Sequence, residues 1–123
     1  MLKHRFRLFL LVSVFLLFVA GCGPTKADVI DQLVSKEENV LHMHMFSNSR
    51  DWDDEVNEVL NSEPALVEHI PHVTVHTEEK KLKWLEVLGL EAKRPVIVIF
   101  DHEQMVYHTS EPEQLREYAK TLD

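Results

Sequence analysis

The densest run of potential metal ligands in the chain is His42-Met43-His44-Met45, two imidazoles alternating with two thioethers. Imidazole suits zinc and copper, and thioether suits cuprous copper. A strand sends successive side chains to opposite faces, so the histidines share one face and the methionines the other. A metal site needs three or four converging ligands, and this alternation separates the two pairs. His69, His72, His76, His102 and His108 are the residues that could join either pair. The expectation is that Met43 and Met45 fill core space while His42 and His44 are hydrogen-bonded or partly exposed; a His/Met copper or zinc carrier is the alternative. Other catalytic patterns are missing, since the three glycines form neither a nucleophile elbow nor a phosphate-cradling loop. The run Asp51-Trp52-Asp53-Asp54-Glu55 has the form of a solvated helix start, with acids at the positive end of the helix dipole. No enzyme is expected.

The single cysteine, Cys22, closes a different kind of motif. Lys3, His4, Arg5 and Arg7 precede an apolar run from Leu8 to Ala20 that only Ser13 interrupts. Charged, apolar and small-residue parts in that order make a secretory signal over residues 1–21. A helix needs about 20 residues to cross a bilayer, and this run is shorter, so it suits export better than permanent anchoring. Val19-Ala20-Gly21-Cys22 resembles the lipobox of bacterial lipoproteins. That resemblance implies a diacylglyceryl thioether on Cys22, cleavage just before it, and a protein held on the cell membrane facing outside the cytoplasm. The covalent lipid would be the only cofactor. With that sulfur committed, the mature chain has no thiol for nucleophilic or redox work. Each buried methylene of an acyl chain contributes ~0.8 kcal/mol to anchoring. The tether, residues 22–27, leaves five residues beyond Cys22 that reach at most ~17 Å when extended, so the domain over 28–123 rides close to the bilayer.

Loss of the signal makes the chain more acidic. Thirteen basic side chains less Lys3, Arg5 and Arg7 leave ten against twenty-one acidic ones, a net charge of −11 with neutral histidines. No basic stripe remains to neutralise phosphates, which excludes nucleic acid as a partner. The length suits one domain with one core.

Along that domain the periodicity switches between helix and strand. Val29, Ile30, Leu33 and Val34 mark a short helix that Asp28 could cap. Asn39 to Phe46 reads as a strand, Ser47-Asn48-Ser49 as a turn, and Asp51 to Asn61 as a helix with Trp52, Val56, Val59 and Leu60 inward. Leu66 to His76 reads as a strand pushed toward a sheet edge by Pro71, which cannot donate to a ladder. Thr77 starts a helix that carries Leu82, Trp84, Leu85 and Leu88 and stops at Gly89. Pro95 to Phe100 is a strand buried on both faces, and Gln104 to Thr109 returns antiparallel after a turn. Ser110 and Glu113 form a capping box for a last helix with Leu115, Tyr118, Ala119 and Leu122 inward.

This order predicts an α/β fold, a central mixed four-stranded sheet flanked by helices on both faces, with a right-handed first crossover between parallel strands. At Arg94-Pro95-Val96-Ile97-Val98-Ile99-Phe100-Asp101-His102-Glu103 the chain resembles the thioredoxin family, whose cis-proline precedes a buried strand and hairpin; Leu115 to Lys120 falls where that family's final helix does. The resemblance covers Val29 to the C-terminus. Where a thioredoxin carries its CxxC pair, this chain has Ser47-Asn48-Ser49-Arg50-Asp51-Trp52, with no thiolate available. The usual hairpin glycine is also absent, so Asp101 or His102 must adopt any left-handed conformation the turn needs. The resemblance implies a substrate groove lined here by Asn48, Arg50, Trp52, Arg94 and Pro95. The function expected is that of a redox-inactive binding or adaptor module in the envelope, with a protein or the peptidoglycan as partner.

Overall fold

The computed structural model describes residues 23–122; the predicted signal over 1–21 and the lipid-bearing Cys22 lie outside the described residues. Four strands form one sheet in the order β2-β1-β3-β4, where β1 is His42–Phe46, β2 His72–His76, β3 Val96–Phe100 and β4 Met105–Thr109. β1 runs parallel to β2 and antiparallel to β3, and β3 and β4 make an antiparallel hairpin. This is the mixed four-stranded sheet that the element order predicts, and the Arg94–Pro95 bond ahead of β3 is cis.

Helices cover both faces because alternate strand residues are apolar on each. Met43, Met45, Ile97 and Ile99 point to one side, where they pack with Trp52, Val56 and Val59 of α2 (Arg50–Ser62), Leu66 of α3 (Pro64–His69), and Leu115 and Ala119 of α5 (Gln114–Ala119). Phe46, Val96, Val98 and Phe100 point to the other, against Val29 and Leu33 of α1 (Lys26–Leu33) and Leu85 of α4 (Leu82–Val87). All five residues of β3 are buried, as its unbroken apolar sequence requires of a central strand.

Several boundaries differ from the sequence reading for local reasons. α1 begins at Lys26, inside the predicted tether, because Thr25 is its cap: the Thr25 hydroxyl accepts from Asp28 N–H, and the Asp28 carboxylate accepts in return from Thr25 N–H. Asp28 is thus the third residue of a capping box and not the cap. β1 starts only at His42, after Asn39 has turned the chain in a left-handed conformation (φ 67°).

The predicted strand over Leu66–His76 is two elements. Pro64 occupies the first turn of α3, where its fixed φ favours a helix start, and Pro71 separates that helix from β2. Leu66 and Ile70 are buried at helical spacing. Thr77 caps nothing; a 3-10 turn at Glu79–Lys81 leads into a short α4. Gly89, at φ 86°, ends α4 as expected, with Leu90 N–H bonded back to Leu85 C=O. The Ser110/Glu113 capping box does not form, because a turn through Pro112 intervenes and α5 starts with no side-chain cap. In the β3–β4 hairpin neither Asp101 nor His102 is left-handed. The Asp101 carboxylate instead accepts from Glu103 and Gln104 N–H, each at 2.7 Å, which closes the turn without glycine.

Candidate functional site

Two side-chain groups lie on β1 and its C-terminal loop. The first surrounds the cis-proline. β1 hands over to α2 through Ser47, Asn48 and Ser49. Ser47 N–H bonds to His76 C=O at 3.0 Å, and its buried hydroxyl donates to Ser49 C=O at 3.3 Å. The Ser49 hydroxyl caps α2 by accepting from Trp52 N–H at 3.3 Å. The Ser47 and Ser49 hydroxyls of this loop are therefore both engaged with backbone.

The predicted groove residues separate in the structure. Asn48 donates to Arg94 C=O at 3.5 Å, and the Arg94 guanidinium donates to Thr77 C=O at 3.1 Å and Ser47 C=O at 3.4 Å. Arg94 thus straps the C-terminal ends of β1 and β2 together, so Asn48, Arg94 and Pro95 do meet. Trp52 is buried in the core beneath them, its indole N–H bonded to Ser110 C=O at 3.1 Å. Arg50 is exposed on the first turn of α2. The open cleft lies on the other side of Pro95, about 390 Å³ in volume, and its walls include Leu90, Lys93, Arg94, His108 and Ser110. The sequence reading missed His108 and Ser110. They reach the cleft only because β4 pairs with β3, His108 opposite Val98, and no linear signal ties them to Pro95.

The second group is a histidine ladder on the α1/α4 face. Parallel register sets His42 beside His72, His44 beside Thr74 and Phe46 beside His76. The His42 and His44 rings stack with centroids 4.2 Å apart. His44 is buried, and its Nε2 lies 2.7 Å from Leu33 C=O. A carbonyl can only accept, so that nitrogen carries the proton and Nδ1 accepts from His76 Nε2–H at 2.9 Å. One acceptor thereby fixes both tautomers. Burial holds His44 down to about 3, with the Leu33 carbonyl opposing the shift. Burial, then the charge of Lys81, pushes His76 down to about 4. Burial, then His72, also lowers His42, whose Nε2 meets the Thr74 hydroxyl at 2.8 Å.

Met43 and Met45 point the other way into the α2-side core, as the alternation predicts. His72 and His76 join His42 and His44, whereas His102 bonds Ser35 C=O and His108 lies at the cleft. Among the described residues no group of three or more His, Cys, Asp or Glu side chains is placed to hold a metal ion.

No protein-family model matches the sequence, and no curated protein matches it. Among solved structures, a thioredoxin from Malassezia sympodialis, described as a member of a pan-allergen family, is similar with a TM-score of 0.49 and 11% identity over 81% of this chain and 89% of that one.

Proposed function

We propose that this chain is a membrane-anchored lipoprotein, facing outside the cytoplasm, whose thioredoxin-like domain works by binding and not by thiol exchange. The observation that carries the reading is the pairing of an engaged loop with an open cleft. The Ser47 and Ser49 hydroxyls are held by backbone and helix cap, while the far side of Pro95 keeps a volume large enough for a few residues of an extended segment. Leu90, Pro95 and Val96 give that cleft apolar surface, and Glu91, Lys93, Arg94, His108 and Ser110 give it polar groups. Apolar walls with a few polar groups suit a peptide stretch better than a glycan strand, so a protein of the envelope is the favoured partner over peptidoglycan. The anchor reading rests on the signal and lipobox at Val19-Ala20-Gly21-Cys22. α1 starts at Lys26, soon after Cys22, which is in keeping with a domain held close to the bilayer.

A photo-crosslinking residue at Lys93, on the cleft wall, is expected to capture an envelope protein in intact cells. The same residue at Glu103, at the opposite end of β3, is expected to capture none. Equal adducts from both positions, or none from Lys93, would overturn the reading. So would reproducible reduction of insulin disulfides by the purified protein.

A further inference from the structure

β2 is an edge strand, and among the described residues nothing pairs with its outer side. Open edges invite another strand, and proteins normally blunt them with charge, proline or a bulge. The other edge, β4, has such a bulge, since its register with β3 shifts at Ile99/Phe100. β2 has none of these within its length: His72-Val73-Thr74-Val75-His76 contains no Lys, Asp, Glu or Pro. Val73 and Val75 are 40% and 47% exposed, and Val67 on the preceding helix is 56% exposed. The five residues also read identically in both directions about Thr74.

We propose that β2 pairs antiparallel with β2 of a second copy of this chain, about a two-fold axis at Thr74, to make one eight-stranded sheet. Backbone parity supports that register. His76 C=O faces β1, where it accepts from Ser47 N–H, so the even-numbered groups of β2 point inward and those of Val73 and Val75 point out. Antiparallel pairing about Thr74 then sets Val73 against the copy's Val75 as hydrogen-bonded pairs. Thr74 meets Thr74 as a non-hydrogen-bonded pair with Cα atoms about 4.5 Å apart. His72 falls opposite His76, and the interface is isologous and closed.

Charge and tether both fit a second copy. Glu37 lies 3.9 Å from His72 at one end of the strand. At the other, Lys80 is paired with Glu78, and Lys81 sits 3.7 Å over the Trp84 ring, which packs edge-on against His76. Antiparallel pairing brings the Glu37 end of each copy toward the Lys81 end of its mate. A two-fold axis perpendicular to the sheet keeps α1 of both copies on one face. The residues ahead of α1 therefore leave on the same side, and two lipid anchors would reach one membrane. That last point alone rests on the lipoprotein reading. Tethering also confines copies to a plane and raises their effective concentration.

The test is Thr74→Cys in the full chain, oxidised in intact cells and resolved without reductant. A Cα separation of about 4.5 Å lies within disulfide range, so a band of twice the monomer mass is expected. Val106→Cys on β4 should stay monomeric. Adding Val73→Lys and Val75→Lys to Thr74→Cys should remove most of the dimer band, with circular dichroism of the triple variant confirming that it folds. A monomeric Thr74→Cys, equal dimer from Val106→Cys, or insensitivity to the lysines would overturn the proposal, as would an adduct of a mass other than twice the monomer. Dimer in the soluble fraction would refute the anchor while sustaining the strand pairing.

Discussion

Acidification should destabilise this domain well above the range where its carboxylates titrate, and the His44 imidazole is the main cause. His44 is neutral in the fold because burial holds it down to about 3, whereas in the unfolded chain it returns to its ordinary value near 6.5. Between those values the unfolded state binds a proton that the native state refuses, so stability is fully present above pH ~6.5 and falls as pH drops. The slope is ~1.4 kcal/mol per pH unit for one proton, which is a loss of ~2 kcal/mol from His44 by pH 5. His76, held at about 4, adds to the loss in the same direction, by less because its ring is partly exposed and solvent-screened. A total of ~2–3 kcal/mol is a large share of the 5–15 typical of a domain. Most carboxylates stay ionised down to pH ~5, and partial neutralisation of the acidic surface would if anything stabilise. Urea unfolding at intervals from pH 7.5 to 5 measures the slope. His44→Phe removes the proton uptake but leaves Leu33 C=O and His76 Nε2–H without their partner, so it should lower the plateau by ~1–3 kcal/mol while flattening the pH dependence. Histidine NMR of the unmodified protein gives an independent reading, since the His44 ring should titrate far below its ordinary value, at about 3. Stability unchanged between pH 6.5 and 5, or a His44 resonance titrating near 6.5, would refute the reasoning.

Two further outcomes follow from the sequence motifs. Cys22→Ala should abolish lipid attachment and leave either released protein or unprocessed precursor in a fractionation experiment, and a mature-sized species still in the membrane fraction would count against the lipobox. Titration calorimetry with zinc or cuprous ion at neutral pH should give only weak, non-stoichiometric heats. Both His44 nitrogens are already hydrogen-bonded and Met43 and Met45 face the opposite core. A sub-micromolar site near one equivalent that His42→Ala with His44→Ala removes would restore the metal-carrier alternative.

The elements that were legible in the sequence are those whose pattern has one physical solution. Val96 to Phe100 is apolar throughout and can only be a central strand; Trp52, Val56, Val59 and Leu60 recur at a helical period and form one buried stripe. Asn48, Arg94 and Pro95 meet where the proline strand and the β1 turn predict. The region from Glu63 to His76 was not legible, because apolar residues there satisfy both periods: Leu66 and Ile70 at a helical spacing, Val73 and Val75 at alternation. Pro64 and Pro71 decide between them by starting a helix and then ending it, and each proline taken alone reads only as a break.

The site depends on that undecided boundary. The His44–His76 bond joins residues 32 positions apart, so it exists only in the register that pairs His44 with Thr74 and Phe46 with His76. A continuous strand from Leu66 would leave the register free to slip, and a slip of one residue would carry His72, Thr74 and His76 to the opposite face and Val73 and Val75 inward. The observed register is favoured on both sides at once. His76 reaches the one imidazole nitrogen that Leu33 leaves unprotonated, and Thr74 reaches His42. The same choice puts Val73 and Val75 on the face of Met43 and Met45, exposed on the edge strand. The buried histidine pair and the exposed valine edge are therefore two consequences of one constraint, the point after Pro71 at which β2 begins.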